Sequence, residues 1–219
     1  AEVHPTMLIA VPRIFNRIYD GLHKKMAKES AFRQSLFAAA VSTAAERKAL
    51  AARGESSGWL NLKFKILDKL VGAKVRARFG GRLKYAISGG AAISKAVADF
   101  IDDLGIQVYE GYGLTETSPI VSANFPGNRR VGTVGKPLPG VRIEIDTDVV
   151  DDPRHGEIVV HGPNVMLGYH QQPEQESRAF AQEGDARSMR TGDLGYLDGS
   201  GYLVISGRLK EQYKLRNGR

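Results

Sequence analysis

The chain has 219 residues, is 42% hydrophobic and 25% charged, and carries a formal charge of +7; this predicts a folded, soluble protein of one large or two small domains. It has no cysteine, which excludes disulfides and thiolate metal sites, and no apolar run approaches the roughly 20 residues of a membrane-spanning helix. The charge is lopsided: residues 1–85 hold 17 Lys/Arg against 6 Asp/Glu, and residues 86–219 hold 14 against 18.

Residues 1–80 read as helical. Pro12 suits a first helical position, and Pro12-Arg13-Ile14-Phe15-Asn16-Arg17-Ile18-Tyr19 opens the first helix. Residues 31–52 are rich in Ala, Leu, Arg and Glu, which are good helix formers. Gly54-Glu55-Ser56-Ser57-Gly58 breaks the pattern, and a further helix carries Leu60, Phe64, Leu67, Val71 and Val75 on one face. Lys63, Lys65, Lys69, Lys74, Arg76 and Arg78 are interspersed. Such a helix can pack on a core or meet an anionic surface, and the basic segment as a whole can be a solvated face.

Leu83–Ile87 reads as a strand, Ser88–Ala92 as a turn, and Ser94 as the cap of a helix through Val97, Phe100, Ile101 and Leu104. Gly105 ends that helix and Ile106–Glu110 is the next strand. A strand, helix, strand succession predicts a parallel sheet. Ligands of such sheets sit at the carboxyl ends of strands, where both Ser88–Ala92 and Tyr112–Thr117 fall. From residue 126 the period changes. Val141–Ile145, Glu157–Val160 and Tyr202–Ile205 alternate, Gly and Pro punctuate, and Asp198-Gly199-Ser200-Gly201 reads as a hairpin turn. The predicted class is α/β: a helical N-terminal stretch with a partial parallel-sheet subdomain over residues 1–125, then a small antiparallel sheet or distorted barrel over 126–208.

The richest stretch is Tyr112-Gly113-Leu114-Thr115-Glu116-Thr117. Tyr112 offers a stacking plate for a purine. Glu116 could bind Mg²⁺, which takes one or two carboxylates plus phosphate oxygens. Thr115 and Thr117 offer hydroxyls, to phosphate or to a helix cap. In Arg190-Thr191-Gly192-Asp193-Leu194-Gly195, Asp193 could accept both hydroxyls of a ribose, or be an Asp in a Gly-flanked turn. Arg208 could add a charge-assisted bond. Gly89-Gly90-Ala91 allows close backbone approach, and a plain strand-to-helix turn explains it equally well. Taken singly, each of these has a commoner structural reading. No Walker-type loop or zinc spacing is present, and the five His are scattered. Hydrolase and metalloprotein readings are therefore set aside. Nothing in 1–85 resembles a nucleic-acid-reading motif, so no nucleic acid is expected as a partner.

In this order and spacing the segments resemble the AMP-forming adenylating enzymes, which include acyl-CoA synthetases, peptide-synthetase adenylation domains and luciferases. The matching pieces are Ser88-Gly89-Gly90-Ala91, Tyr112–Glu116, Gly132-Thr133-Val134-Gly135-Lys136-Pro137, Gly156–Val160, Gly168-Tyr169, Arg190–Gly195 and Gly207-Arg208. Val11-Pro12-Arg13-Ile14-Phe15, the long helical stretch, and the ending Gly207–Leu215 resemble the long-chain fatty-acid CoA ligases. The resemblance implies ATP, Mg²⁺ and CoA as cofactor and cosubstrates, a fatty acid as substrate, and formation of acyl-AMP followed by acyl-CoA. A ligase for medium-chain or aryl acids, and a non-catalytic module for anionic surfaces, are the alternatives.

By resemblance, Tyr112 stacks on adenine, with Gly89, Gly90 and Ala91 along the same pocket and Gly113 beside it. Gly90 and Gly111 leave room for the acyl group. Glu116 is the magnesium ligand, Thr115 a phosphate contact, and Asp193 and Arg208 the ribose contacts. Lys210 stands at the hinge, so that 209–219 is expected to begin a further small domain. The resemblance also implies an upstream phosphate loop and a downstream catalytic lysine, neither found within these residues, so an internal piece without catalysis of its own is expected. A cytoplasmic location is expected, with peripheral contact of the basic 1–85 segment to anionic membrane.

Overall fold

A computed structural model describes residues 3–183 and 186–210. Of the ligase-like ending, residues 211–215 lie outside the described residues. Two compact units divide the chain, residues 1–108 and 109–219.

The first unit contains strand β1 (Met7–Ala10) and helices α1 (Pro12–Met26), α2 (Ala31–Ala52) and α3 (Gly58–Leu67). A π-turn (Asp68–Gly72), α4 (Ala73–Ala77), β2 (Tyr85–Ser88) and α5 (Lys95–Asp103) follow. The expected start signals act as read. Pro12 takes the first turn of α1, Ser94 accepts the Val97 N–H to cap α5, and Gly105 ends α5 at φ +84°. Two expectations are corrected. Residues 7–10, read as helical, form β1 and pair in parallel with β2, from Met7 opposite Tyr85 to Ala10 opposite Ser88. The helix expected through Leu60–Val75 is interrupted by the π-turn.

An ion pair spans the interruption. Arg76 grips Asp68 with both guanidinium nitrogens, at 2.6 and 2.8 Å, and donates to the Leu104 carbonyl at 2.8 Å. The pair passes over Gly72, where a Cβ would stand 2.1 Å from Asp68 Oδ1. In an ordinary helix Gly→Ala stabilises by roughly 0.5–1 kcal/mol. Here the sign should invert: Gly72→Ala is expected to lose about 1–2 kcal/mol by breaking a half-buried bidentate pair. Urea unfolding checks this, and a raised midpoint would show that the pair does not hold the turn.

Several cations of the basic segment are spoken for inside this unit. Lys48 on α2 meets Asp103 at 2.6 Å, Asp102 at 3.3 Å and Asp99 at 3.7 Å on α5. Burial pulls its ammonium pKa down, but the three carboxylates outweigh this and raise it. Tyr19, His23, Phe37 and Phe100 form an aromatic cluster between α1, α2 and α5. No helix among the described residues is long and apolar enough to cross a membrane.

The boundary between the units falls within β3 (Gln107–Gly113). The second unit continues with a 3₁₀ turn (Thr115–Thr117), β4 (Ile120–Ala123), β5 (Lys136–Pro137), β6 (Arg142–Asp146), a 3₁₀ turn (Thr147–Val149) and β7 (Gly156–His161). α6 (Pro173–Ala179), β8 (Phe180–Glu183), β9 (Ala186–Leu197) and β10 (Leu203–Arg208) complete it. Its strand pairs β3–β4, β4–β5, β6–β7, β7–β9, β8–β9 and β9–β10 are antiparallel. Val121, Val134, Ile143, Ile158, Val160 and Leu203 form their shared core. The Asp198–Gly201 turn joins β9 to β10 as expected, with Asp198 Oδ1 accepting the N–H groups of Ser200 and Tyr202. The Arg190–Gly195 motif, weighed as a turn, lies inside β9.

Gly132–Pro137 is where the two sheets of this unit meet. Val134 N–H donates to the Leu203 carbonyl and Leu203 N–H to the Gly135 carbonyl, at 2.9 and 2.8 Å. Ser122 donates to the Val134 carbonyl, and Asn124 to that of Thr133. Gly135 has φ +82°, and a Cβ there would fall 1.9–2.2 Å from backbone atoms of Ala123 and Asn124.

Candidate functional site

The ladders of the second unit slip beside three of the expected site residues. Between β7 and β9 the register jumps from Glu157 opposite Leu194 to Val159 opposite Arg190, so Thr191, Gly192 and Asp193 stand opposite Ile158 alone. Between β9 and β10 it jumps at Ser206, which brings Arg208 directly opposite Asp193. Between β3 and β4 it jumps after Tyr112. Bulges of this kind bend a strand and re-aim a side chain.

The re-aimed groups meet. Tyr112 Oη donates to Asp193 Oδ2 at 2.9 Å, and Arg208 Nε pairs with Asp193 Oδ1 at 2.8 Å. Both carboxylate oxygens therefore have partners, and Asp193 is only 6% exposed. The Tyr112 ring packs against the core that includes Val121, Val134 and Ile158. Burial pushes its phenol far above the ordinary value, and the Asp193 charge acts in the same sense. The hydroxyl thus stays protonated at neutral pH and remains a donor.

Three residues without an expected role of their own, Glu157, Arg190 and Thr191, hold this arrangement. Glu157, 5% exposed, accepts the Gly192 N–H at 2.9 Å through Oε1 and Arg190 Nε at 2.9 Å through Oε2. Arg190 also pairs with Asp146, whose carboxyl it holds below the usual range. Thr191 Oγ1 donates to the Ile158 carbonyl at 2.8 Å and accepts the Asp193 N–H at 3.1 Å. The available signal was a carboxylate opening the apolar run Ile158-Val159-Val160 of β7.

Glu116 sits in the 3₁₀ turn after β3, and its Oε1 accepts the Tyr169 hydroxyl at 2.8 Å. Burial, and then Glu116, raise the Tyr169 phenol pKa, so it too remains a donor. Tyr169 is steadied by its own N–H, which donates to Glu176 at 2.9 Å. Thr115 is exposed. Thr117 is buried, and its hydroxyl is taken by Leu114 and Pro119 backbone, which settles it as a capping group. Gly113 serves packing, since a Cβ would meet the Pro119 carbonyl oxygen at 1.7 Å. A Cβ at Gly111 would face the Ser122 carbonyl at 3.4 Å. Gly89, Gly90 and Ala91 belong to the turn after β2 in the other unit, with open space around Gly89 and Gly90. Lys210 is exposed just beyond β10.

Among the described residues no three His, Asp or Glu gather as a self-sufficient metal cage. The donor set nevertheless fits Mg²⁺ bound in company with phosphate oxygens. That ion needs only one or two protein carboxylates, and Tyr169 occupies one Glu116 oxygen, leaving the other to serve.

The family model described as AMP-binding enzyme matches residues 1–170. "Long-chain-fatty-acid--CoA ligase FadD15" of Mycobacterium bovis is 36% identical over 211 residues, 96% of this chain and 33% of that protein. "Long chain acyl-CoA synthetase 7, peroxisomal" of Arabidopsis thaliana is 34% identical over 227 residues, 100% of this chain and 31% of that protein. This chain thus spans about a third of the length of these curated relatives. Among solved structures, O-succinylbenzoate Coenzyme A Synthetase (MenE) from Bacillus subtilis, in complex with ATP and magnesium ion, aligns with TM-score 0.51 at 32% identity. That alignment covers 59% of this chain and 27% of that one. The anthranilate CoA ligase AuaEII, in complex with anthranoyl-AMP, aligns with TM-score 0.53 at 26% identity, over 60% of this chain and 25% of that one.

Proposed function

This chain belongs to the AMP-binding enzyme family, and from that premise we propose that it is the nucleoside-binding part of a long-chain fatty-acid CoA ligase. The complete reaction would join a fatty carboxylate to the α-phosphorus of ATP, releasing pyrophosphate, and then pass the acyl group to the CoA thiol with release of AMP. The observation that carries the reading is the Tyr112–Asp193–Arg208 constellation, which gathers an aromatic ring, a carboxylate and a guanidinium from three separate strands at three ladder slips. Tyr112 would stack on adenine, and Asp193 with Arg208 would take the ribose hydroxyls. Thr115 and Glu116 would face the phosphates, with Glu116 holding Mg²⁺. That ion neutralises phosphate charge when bound. Gly89–Ala91 would line the adenine pocket, Gly90 would leave space for the acyl chain, and Lys210 would be the hinge. Residues 1–125 and 126–208 would be parts of one large adenylating domain.

The long-chain assignment is supported by the names of the sequence relatives. The alternative, an aryl-acid ligase, is supported by the structural neighbour named as an anthranilate CoA ligase. Titrating the 219-residue chain with a fluorescent AMP derivative tests the nucleoside site. Saturable binding displaced by ATP is expected, and its absence would sink the reading. With ATP, Mg²⁺ and palmitate, the same chain is expected to release no pyrophosphate. Robust release would show that this third of the relatives' length suffices for adenylation. Benzoyl-AMP competing better than palmitoyl-AMP would favour the aryl alternative.

A further inference from the structure

Where Thr191, Gly192 and Asp193 stand opposite Ile158 alone, the β7–β9 pairing is interrupted and Gly192 takes φ +71°. Backbone that leaves a ladder in this way needs other partners. Glu157 provides them. It stands opposite Leu194, on one side of the slip, and its carboxylate reaches Arg190 with one oxygen and the Gly192 N–H with the other, both at 2.9 Å. One side chain thus ties down the residue before the bulge and a residue within it. Between them, the Thr191 hydroxyl donates to the Ile158 carbonyl, and the same oxygen accepts the Asp193 N–H. Every residue from 190 to 193 is therefore held through a side chain, and the last of them carries the carboxylate that joins Tyr112 and Arg208. A buried carboxylate is costly unless paired, and an apolar side chain would avoid that cost. Glu157 is 5% exposed, and Arg190, which also pairs with Asp146, balances its charge.

We infer that Glu157 is the positioning residue for ribose recognition: through the 190–193 bulge it aims the Asp193 carboxylate at the sugar hydroxyls. This rests on the nucleoside reading above and adds the residue on which its sugar specificity depends. Asp193 has little freedom left. A carboxylate offers about four lone-pair positions, and Tyr112 and Arg208 each take one, on different oxygens. A ribose diol must meet what remains on the two oxygens at a fixed spacing. Binding constellations keep such geometry, to about 0.5 Å, only when the bonds of neighbouring residues lock them. Tyr112 and Arg208 fix the tip of the carboxylate, and the Glu157 clamp fixes the backbone that carries it. Stacking of a base on the Tyr112 ring does not pass through the bulge. Loss of the clamp should therefore impair recognition of the sugar and leave recognition of the base.

The test measures how well AMP and 2′,3′-dideoxy-AMP, which lacks both hydroxyls, displace a fluorescent AMP derivative from the 219-residue chain. The parent should prefer AMP. Glu157→Leu, which removes both bonds, should weaken AMP about tenfold and change the dideoxy nucleotide by about twofold or less, so that the preference collapses. Thr191→Val should act in the same direction, and Thr191→Ser, which keeps the oxygen, should restore the preference. Gly140→Ala strains the same unit at φ +80°, in the turn before β6. It should lower the melting point and leave the preference intact, which separates positioning from a general loss of stability. Thermal melts establish that the variants fold. Glu157→Gln, whose one acceptor oxygen can serve Gly192 or Arg190 but not both, replaces the Leu variant if that does not. Folded Glu157 variants that keep the parent's preference would overturn the inference and leave the nucleoside reading standing. Equal weakening of both nucleotides would overturn it as well, since that is the effect of a merely structural residue. A parent that binds neither nucleotide, or both alike, would sink the nucleoside reading itself and the inference with it.

Discussion

Gly135→Ala is expected to destabilise the second unit by about 4 kcal/mol or more, the rare upper end for one substitution. Two independent costs combine. A residue with a Cβ at φ +82° sits in the left-handed region, at a cost of roughly 1–2 kcal/mol. The added carbon would also fall within 2.2 Å of Ala123 and Asn124 backbone. Backbone cannot swing aside as a side-chain tip can. Relief would require moving the segment whose carbonyl and neighbouring N–H lock to Leu203. Gly140→Ala is the matched control: φ is +80°, but nothing lies within 4 Å. It should show the conformational cost alone. Urea unfolding of both variants separates the terms, and equal midpoints would mean that the close approach at Gly135 adds no cost to the conformational one.

Asp193→Asn is expected to weaken adenine-nucleotide binding roughly 100-fold, about 3 kcal/mol, because it removes charge and one of two acceptors from a buried group. An amide can keep its oxygen on Arg208 Nε and turn its NH₂ to Tyr112 Oη, which can accept as well as donate, but it then has one acceptor and no charge to offer a ribose. Stability should change little, by about 1 kcal/mol or less, because the Arg208 side chain is 63% exposed and its pair with Asp193 is screened. Large loss of affinity with a nearly unchanged melting point is therefore the expected signature. A variant that binds nucleotide as tightly as the parent would remove Asp193 from the site.

The elements legible in the sequence were those with local punctuation. Pro12, Ser94, Gly105 and the Asp198–Gly201 turn each act on their own neighbours, and their structures follow. β1 is not legible, because four apolar residues before a helix carry no period and its partner β2 lies more than 70 positions away. β9 is hidden because glycines at 192 and 195 read as turn punctuation, whereas Gly192 lies in a bulge and Gly195 lets β10 approach. The site divided along the same line. Tyr112, Asp193 and Arg208 are legible as residue types suited to a nucleoside, but that one carboxylate joins them depends on three register slips. Tyr169 and Glu157 were visible as motif letters, while their bonds to Glu116 and Gly192 are tertiary.

The π-turn at Asp68–Gly72 also acts as a phase setter. One extra residue in a helical turn rotates everything downstream by about 100° relative to an uninterrupted helix. Lys74, Val75 and Arg78 line a cavity shared with α1 and α2 in that rotated phase, while Arg76 faces Asp68 and Leu104. Deleting one residue of the turn, such as Lys69, would therefore straighten the helix and leave these side chains in phase, whereas winding the unchanged sequence as an uninterrupted α-helix would turn them away.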